Sequence, residues 1–181
     1  FVGASIMPLL PIYAKALGAT PIMTGSYLAI SFASVTLGTM SAGHLVRLFQ
    51  RRRGLIVAAG LICLPATWLM GRVTTIWQLT ALTVLIWFVA GVAITLESII
   101  AGLYAKESQR GRMFGFLTAT ASLAGLIGGV IVGPLVDNWG YEGMFAALSM
   151  VWIIQVVSGL FLPDRPVEKE VLGSITYPDK P

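Results

Sequence analysis

The sequence predicts an all-α integral membrane protein, and three observations support that prediction. Hydrophobic residues make up 56% of the 181 residues and charged residues only 11%, whereas an ordinary soluble domain has roughly 25% charged residues. The apolar residues form six long runs, each close to or above the roughly 20 residues that a helix needs to cross a bilayer. The runs lack the alternation of transmembrane β-strands. Because a backbone in lipid must satisfy its own hydrogen bonds, we expect six helices.

The predicted spans follow one another with short connections. They cover residues 1–17, 22–46, 55–71, 76–104, 113–136 and 144–162. In the first span, Pro8 and Pro11 are expected either to bend the helix or to mark its outer end, because proline cannot donate the helical hydrogen bond. Residues 1–163 are predicted to form one six-helix transmembrane unit. Residues 164–181, which contain three prolines and mixed charge, are predicted to be a cytoplasmic linker.

The distribution of basic residues predicts the orientation of the chain. If the first span runs from the cytoplasm outward, every Lys and Arg except Lys15 and Arg72 falls on the cytoplasmic side. Such an excess in short loops is the positive-inside pattern. We therefore predict a multi-pass protein of the plasma or inner membrane, with the second-to-third loop, the fourth-to-fifth loop and the C-terminal tail in the cytoplasm. The net charge of +4 then reflects topology, and we expect no nucleic-acid partner.

Few residues suggest bond-making chemistry. Cys63 can form no internal disulfide and is expected to be a small buried apolar residue. His44 has no second ligand nearby and is expected to be an interfacial polar residue. The sequence contains no HExxH motif, no paired aspartates and no His-Ser constellation, so we predict no metal, no cofactor and no enzyme activity.

The loop between the second and third spans carries a recognisable motif, GHLVRLFQRRRG. Gly43, Leu45, Arg51 and Arg52 fit the frame G-x-x-x-D-R-x-G-R-R of major facilitator superfamily carriers. Together with PLLPIYAKALGAT in the first span and the order of the later motifs, this loop makes the chain resemble the N-terminal half of such a carrier. The resemblance is closest to exporters of drugs and small molecules. Arg47 stands where the family usually has an aspartate.

The resemblance implies both an architecture and a function. Major facilitator carriers have two six-helix halves with the substrate bound between them. We therefore expect secondary transport of a small molecule by alternating access, as proton-coupled efflux, with the bilayer and a C-terminal six-helix half as partners. The chain is then either a fragment or a half-size protein that must pair. The rival interpretation is a membrane scaffold or sensor of the same fold that does not transport.

The basic loop is a candidate gate. In the family its aspartate helps to lock the cytoplasmic side by pairing with cations and a helix N-terminus. With Arg47 in that place, the lock cannot work in the usual way. The alternative is that these arginines only set orientation. The candidate residues are Gly43, Arg47, Arg51, Arg52 and Arg53.

The fifth predicted span contains GLIGGVIVGP. Gly125, Gly129 and Gly133 recur every four residues on one stripe, which allows a neighbouring backbone to approach closely. Pro134 predicts a kink near the outer end of the helix. The run resembles the G-x-x-x-G-P motif of drug exporters, although the closing glycine pair of that motif is missing. A packing role and a role in export both remain open.

Glu97 is the one acidic residue well inside a span. A charge at mid-bilayer costs about 2.5–3.5 kcal/mol on insertion scales, so the carboxylate should face water, protein or a partner. It is expected to be a titrating group in a cavity, a helix–helix hydrogen-bond partner or a snorkelling interfacial carboxylate. On the fourth span, Ala90 and Ala93 share its stripe. The other substrate-cavity or coupling candidates lie on the adjacent stripe: Trp87, Gly91, Thr95 and Ser98. The resemblance places Trp87 where many proton-coupled members carry an arginine.

Overall fold

The structure, a computed structural model, describes residues 2–49, 52–104 and 107–161. Every element in these ranges is helical, which confirms the all-α prediction. The helices are α1 (Val2–Ile6), α2 (Leu10–Ala16), α3 (Pro21–Phe49), α4 (Arg52–Met70), α5 (Ile76–Tyr104) and α6 (Arg110–Leu160), with a short 3₁₀ turn at Glu107–Gln109 before α6.

Four of the described helices, α3 to α6, are long and apolar enough to cross a membrane. The second, third and fourth predicted spans correspond to α3, α4 and α5. The structure departs from the prediction at both ends of this series, because the first span is broken and the last two are joined. The six-span arrangement therefore stays a prediction, whereas the helical membrane fold is confirmed.

The first predicted span is broken between α1 and α2. The amide of Leu9 bonds to the carbonyl of Ile6 over 2.9 Å, which is the tight spacing of a turn rather than of an α-helix. Pro8 lies inside this turn. Pro11 lies in the first turn of α2, where its missing N–H removes no helical hydrogen bond. The first predicted span is thus interrupted between Ile6 and Leu10 rather than bent.

Helix α6 contains a break at Gly140. A straight helix of 51 residues would be about 76 Å long, far more than a hydrocarbon core of about 30 Å. Gly140 has φ 64° and ψ −178°, a conformation that only glycine adopts readily. It divides α6 into a first segment (residues 110–139) and a second segment (141–160). The fifth and sixth predicted spans lie on either side of this single residue, where the sequence suggested a longer connection.

Helices α3 and α5 pack closely in a parallel orientation. The Oη atom of Tyr27 and the Oγ1 atom of Thr83 lie 3.0 Å apart, and the backbone of Phe88 lies directly against Gly38. Small residues at such contacts let two helix backbones approach. Further along both helices, one apolar cluster contains Ala42, Val46, Val92 and Leu96.

Helix α4 packs in an antiparallel orientation against the second segment of α6. A Cβ atom on Gly71 would lie 2.9 Å from the Cα of Glu142, and one on Gly60 would lie 2.6 Å from Cγ2 of Val156. Residue numbers therefore fall along α4 as they rise along α6. Helix α2 also ends beside the end of α4. Gly140 lies at this same end of the bundle, and the chain reverses its direction there between the two segments of α6.

Helix α1 packs beside the first segment of α6. Ser5 is fully buried and lies so close to Gly128 that a Cβ atom there would collide with its side chain. The Oγ of Ser5 also lies 3.5 Å from the carbonyl of Ala124, to which it donates. The main apolar core lies between these pairs, and among its largest buried side chains are Ile6, Leu10, Tyr27, Met70, Leu79, Ile86, Met144 and Phe145.

Candidate functional site

One end of the bundle, the Arg72 end, is closed by the side chains of Tyr13, Arg72, Tyr141 and Glu142. Tyr13 is 4% exposed, and its hydroxyl donates to the carbonyl of Met70 over 2.8 Å. Its ring stacks on Tyr141 with centroids 4.3 Å apart. One tyrosine of α2 therefore contacts both α4 and the second segment of α6.

An ion pair adds to the closure of the Arg72 end. The Nε of Arg72 donates to Oε1 of Glu142 over 2.6 Å, and its guanidinium lies 3.7 Å from the centroid of the Trp68 ring. The exposed fractions of the two charged side chains are 46% and 61%, so we expect a contribution of only about 0.2–1 kcal/mol from the pair. The exposed ion pair is therefore expected to make only a small contribution to this closure.

The helices around Glu97 leave a cavity between them. This cavity, here called the Glu97 cavity, has a volume of about 480 Å³ and lies among α1, α5 and both segments of α6. Gly3 lines it from α1, Ala90, Ala93 and Glu97 line it from α5, and Ala121 lines it from the first segment of α6. The stripe that Ala90 and Ala93 were predicted to share with Glu97 thus lines one space.

The second segment of α6 supplies the opposite wall, which the sequence analysis did not find. Trp152 and Gln155 both line the Glu97 cavity. Nε1 of Trp152 donates to Oγ1 of Thr67 on α4 over 2.8 Å. Gln155 is the one amide in the apolar run from residue 144 to residue 162, and that isolated polar residue was the available signal.

A second space, the Ser98 cavity, adjoins the first. It has a volume of about 530 Å³ and shares Glu97 and Ala121 with the Glu97 cavity. Its hydroxyl groups are bonded within their own helices: Ser98 donates to the carbonyl of Ile94 over 2.9 Å, and Thr118 does the same with Phe114. Glu97 is therefore the charged side chain of both spaces.

The other predicted members of the site lie outside both cavity linings, and two of them contact α3. Trp87 is 6% exposed, its ring meets Phe32 edge-on, and its Nε1 has no hydrogen-bond partner among the described residues. Gly91 lies against the carbonyl of Val35, and the hydroxyl of Thr95 bonds to the carbonyl of Gly91 over 3.0 Å. The structure brings Ser98 together with Glu97 but places these three residues apart from both cavities.

Two glycines of the predicted stripe on α6 make no close contact among the described residues. A Cβ atom on Gly129 or Gly133 would meet no described atom within 4 Å, whereas Gly128, which is not on the stripe, contacts α1. Gly125, the third member of the stripe, is partly buried. Pro134 lies inside α6, but the non-helical dihedral angles occur at Gly140.

The basic segment lies mostly on helix ends rather than in a loop. Helix α3 continues past the predicted boundary to Phe49, so Arg47 lies on its last turns, and α4 begins at Arg52. Leucine and arginine are good helix formers, and cations are favourable at a helix C-terminus, which explains the extension of α3. Gly43 is exposed and Arg53 partly buried. Arg51 and the predicted linker 164–181 lie outside the described residues.

Metal-binding groups are not assembled in the part of the chain that the structure describes. No group of three His, Cys, Asp or Glu side chains comes together there. Cys63 is fully buried in the core, as predicted, and His44 is exposed.

Helices of membrane-spanning length, packed in pairs beside a cavity with one carboxylate, define a multi-pass helical membrane protein. A sequence profile of the Major Facilitator Superfamily matches residues 1–177, and the chain belongs to that family. This finding confirms the resemblance drawn from the loop motifs.

Curated relatives of the chain are named as drug exporters. The chain is 26% identical over 127 residues to the multidrug efflux pump Tap of Mycolicibacterium fortuitum, covering 70% of this chain and 31% of the relative. It is 26% identical over 162 residues to the multidrug resistance protein MdtG of Klebsiella pneumoniae, covering 87% and 39%. With MdtG of Citrobacter koseri it shares 25% over 188 residues, covering 96% and 46%. The chain spans less than half the length of these relatives.

Proposed function

We propose that the chain is the N-terminal half of a secondary active transporter that exports a small molecule by alternating access, coupled to protons. Family membership over nearly the whole chain supports transport, and the names of the relatives support export of drug-like compounds. The observation that carries the proposal is the Glu97 cavity, because it contains a carboxylate and lies between helices of which α5 and α6 are long and apolar enough to cross a membrane.

The missing counterpart of this half follows from the same proposal. Residues 1–163 form the six-helix half-bundle, residues 164–181 lead into the central cytoplasmic linker, and a C-terminal six-helix half completes the substrate site. The stripe of Gly129 and Gly133 supports this, since it is open within the described chain and small residues suit close helix contacts. The Arg72 end faces outward and the basic segment faces the cytoplasm.

Glu97 is the proton-sensitive group of this half in our proposal. Glutamine at this position would keep the size and the hydrogen-bonding capacity of the side chain while removing its titration. In liposomes that contain the complete protein, we expect Glu97→Gln to abolish flux driven by a pH gradient, whereas Asp137→Asn, at an exposed position remote from the cavity lining, should behave as wild type. Wild-type pH dependence in Glu97→Gln would place the coupling group elsewhere. A folded protein without any flux would indicate the scaffold or sensor.

The basic segment is proposed to take part in gating at the cytoplasmic side. Arg47→Asp would restore the residue type that the family has there. We expect it to shift the carrier toward the outward-facing state, measured as reduced labelling of cytoplasmic cavity residues. Unchanged accessibility would leave Arg51, Arg52 and Arg53 with the orientation role alone.

A further inference from the structure

We infer that α1 and the first segment of α6 form a two-helix arm that moves as one unit relative to the other helices, with hinges at the turn around Pro8 and at Gly140. The inference goes beyond the proposed function, because it concerns motion inside this half rather than motion between two halves. It depends on three features: the separate attachments of α1 and α2, the non-helical backbone at both junctions, and the open space beside the arm.

The two parts of the first predicted span are attached to different segments of α6. Ser5 of α1 is fully buried and lies directly against Gly128 of the first segment. Tyr13 of α2 instead stacks on Tyr141 of the second segment, and its hydroxyl donates to the backbone of α4. The chain therefore changes its packing partners within the turn that separates α1 from α2, and α1 belongs with the first segment of α6.

Both of these junctions have a non-helical backbone. Between α1 and α2, the amide of Leu9 bonds to the carbonyl of Ile6, and Pro8 has no amide hydrogen to donate. Between the two segments of α6, Gly140 has φ 64°, which favours glycine. A continuous helix resists bending, whereas a few residues at the ends of elements can absorb the dihedral changes of a hinge. The arm is thus joined to α2 and to the second segment of α6 at points where the chain can bend.

Open space lies beside the arm on the side of α5. The Ser98 cavity, with a volume of about 530 Å³, is lined by α5 and by the first segment of α6. From residue 110 to residue 123, every position of that segment except Leu117 is exposed. The arm contributes to the main core through Val2, Ile6 and Val132. The part of the arm next to the Ser98 cavity therefore has room to move toward α5 and away from it.

Distances between pairs of spin labels test the motion of the arm. They are measured by pulsed electron paramagnetic resonance on the complete, otherwise cysteine-free protein in lipid nanodiscs. Two pairs cross from the arm to α4: Gly3 with Leu61, and Leu123 with Leu61. One pair lies within the arm, Gly3 with Leu123, and one lies outside it, Leu37 with Ile154. The four leucine and isoleucine positions are exposed, and a Cβ atom on Gly3 would meet no described atom within 4 Å.

We expect the distance distributions of the two crossing pairs to be about twofold wider, or more, than those of the other two pairs, because only the crossing pairs span a hinge. Equal widths for all four pairs would overturn the inference. A wide distribution for Gly3 with Leu123 would also overturn it, because α1 and the first segment of α6 would then move separately.

The hinge around Pro8 is tested by comparing Pro8→Ala with Pro65→Ala. Alanine at position 8 supplies the missing amide and allows α1 and α2 to join in one helix, so we expect the crossing distributions to narrow to the width of the pair outside the arm. Pro65 is exposed and lies inside α4, so its replacement should leave the widths unchanged. If both variants keep the wild-type widths, the turn around Pro8 is not a hinge. The comparison of the four pairs does not require Pro8→Ala and stands if that variant does not fold.

These measurements separate the inference from the proposed function. All four label pairs lie within this half, so a movement of two rigid halves against each other widens none of the distributions. Flux through a protein with four equally narrow distributions would reject the arm and leave the transporter in place. Wide crossing distributions in a protein without flux would support the arm and reject the transporter.

Discussion

The Arg72 end and the region around Glu97 share α6 but differ in how closely the neighbouring helices pack against it. At the Arg72 end, Tyr13 bonds to the backbone of α4 and stacks on α6, so that three elements meet without a gap. Around Glu97, four glycine and alanine residues and several larger side chains, among them Trp152, line a space of about 480 Å³. The comparison teaches that aromatic side chains fill the space between elements at the Arg72 end, whereas short side chains on α1, α5 and α6 contribute to the space near Glu97.

The largest expected effect is a difference in labelling, which shows which of these two regions lies nearer the cytoplasm. Single cysteines in an otherwise cysteine-free complete protein should label from one side only, because charged maleimides do not cross the bilayer. An exchange of sites between the two sets would overturn the proposed orientation. The sites expected to label from the cytoplasm are Gln50, Ser108 and Lys169, and those expected to label from outside are Thr20, Thr74 and Asn138.

A pair of glycines on the first segment of α6 tests the wall between α1 and α6 beside the Glu97 cavity. We expect Gly128→Val to destabilise the bundle by about 1–3 kcal/mol, because the new side chain collides with Ser5. The matched control is Gly115→Val, where a Cβ atom meets no described atom within 4 Å. The measurement is the fraction of monodisperse protein after heating, followed by fluorescence-detected gel filtration. Equal losses in both variants would contradict the packing described here.

The hydroxyl of Tyr13 tests the closure of the Arg72 end. Tyr13→Phe keeps the stacking on Tyr141 but leaves the Met70 carbonyl without this donor. We expect a loss of about 0.5–1.5 kcal/mol, seen as a lower Tm. An unchanged Tm would show that this hydrogen bond does not stabilise the Arg72 end.

The ion pair at the Arg72 end is expected to give the smallest effect. Arg72→Gln and Glu142→Gln should each lower stability by about 0.2–1 kcal/mol at low salt, with less effect at high salt. The double exchange Arg72→Glu with Glu142→Arg should recover part of the loss. Thermal unfolding of the four proteins at two salt concentrations measures this, and a loss as large as that of Gly128→Val would contradict the assignment of this pair as an exposed one.

Sequence reasoning found the helices and Glu97 because both depend on composition. Long apolar runs must become helices in lipid. A carboxylate inside such a run can be recognised from the sequence without knowing which way its helix faces. The sequence does not indicate which helices pack against each other. The spans are apolar all round, so no amphipathic stripe indicates which face meets a neighbour. For this reason Gly91 was expected in the cavity but packs on α3, and Trp152 was not found.

The same limit explains why the sequence indicated neither the contact at Gly128 nor the break at Gly140. The contact at Gly128 depends on where Ser5 lies, and α1 is separated from α6 by more than a hundred residues. At Gly140 the sequence shows a glycine among polar and aromatic residues, which is equally typical of a short loop. Only the positive φ reveals that a single residue turns the chain.

The pairing of α1 and α4 with α6 has a consequence for biosynthesis. Both early helices have their close glycine contacts with α6, the last described helix to leave the ribosome. Contacts between such distant parts of a chain form slowly, so α1 and α4 must wait in the bilayer, or beside the insertion machinery, with Ser5 and the Gly60 surface uncovered. Helices α3 and α5 can already pair during that interval. The packing of this half is therefore complete only after α6 has been inserted.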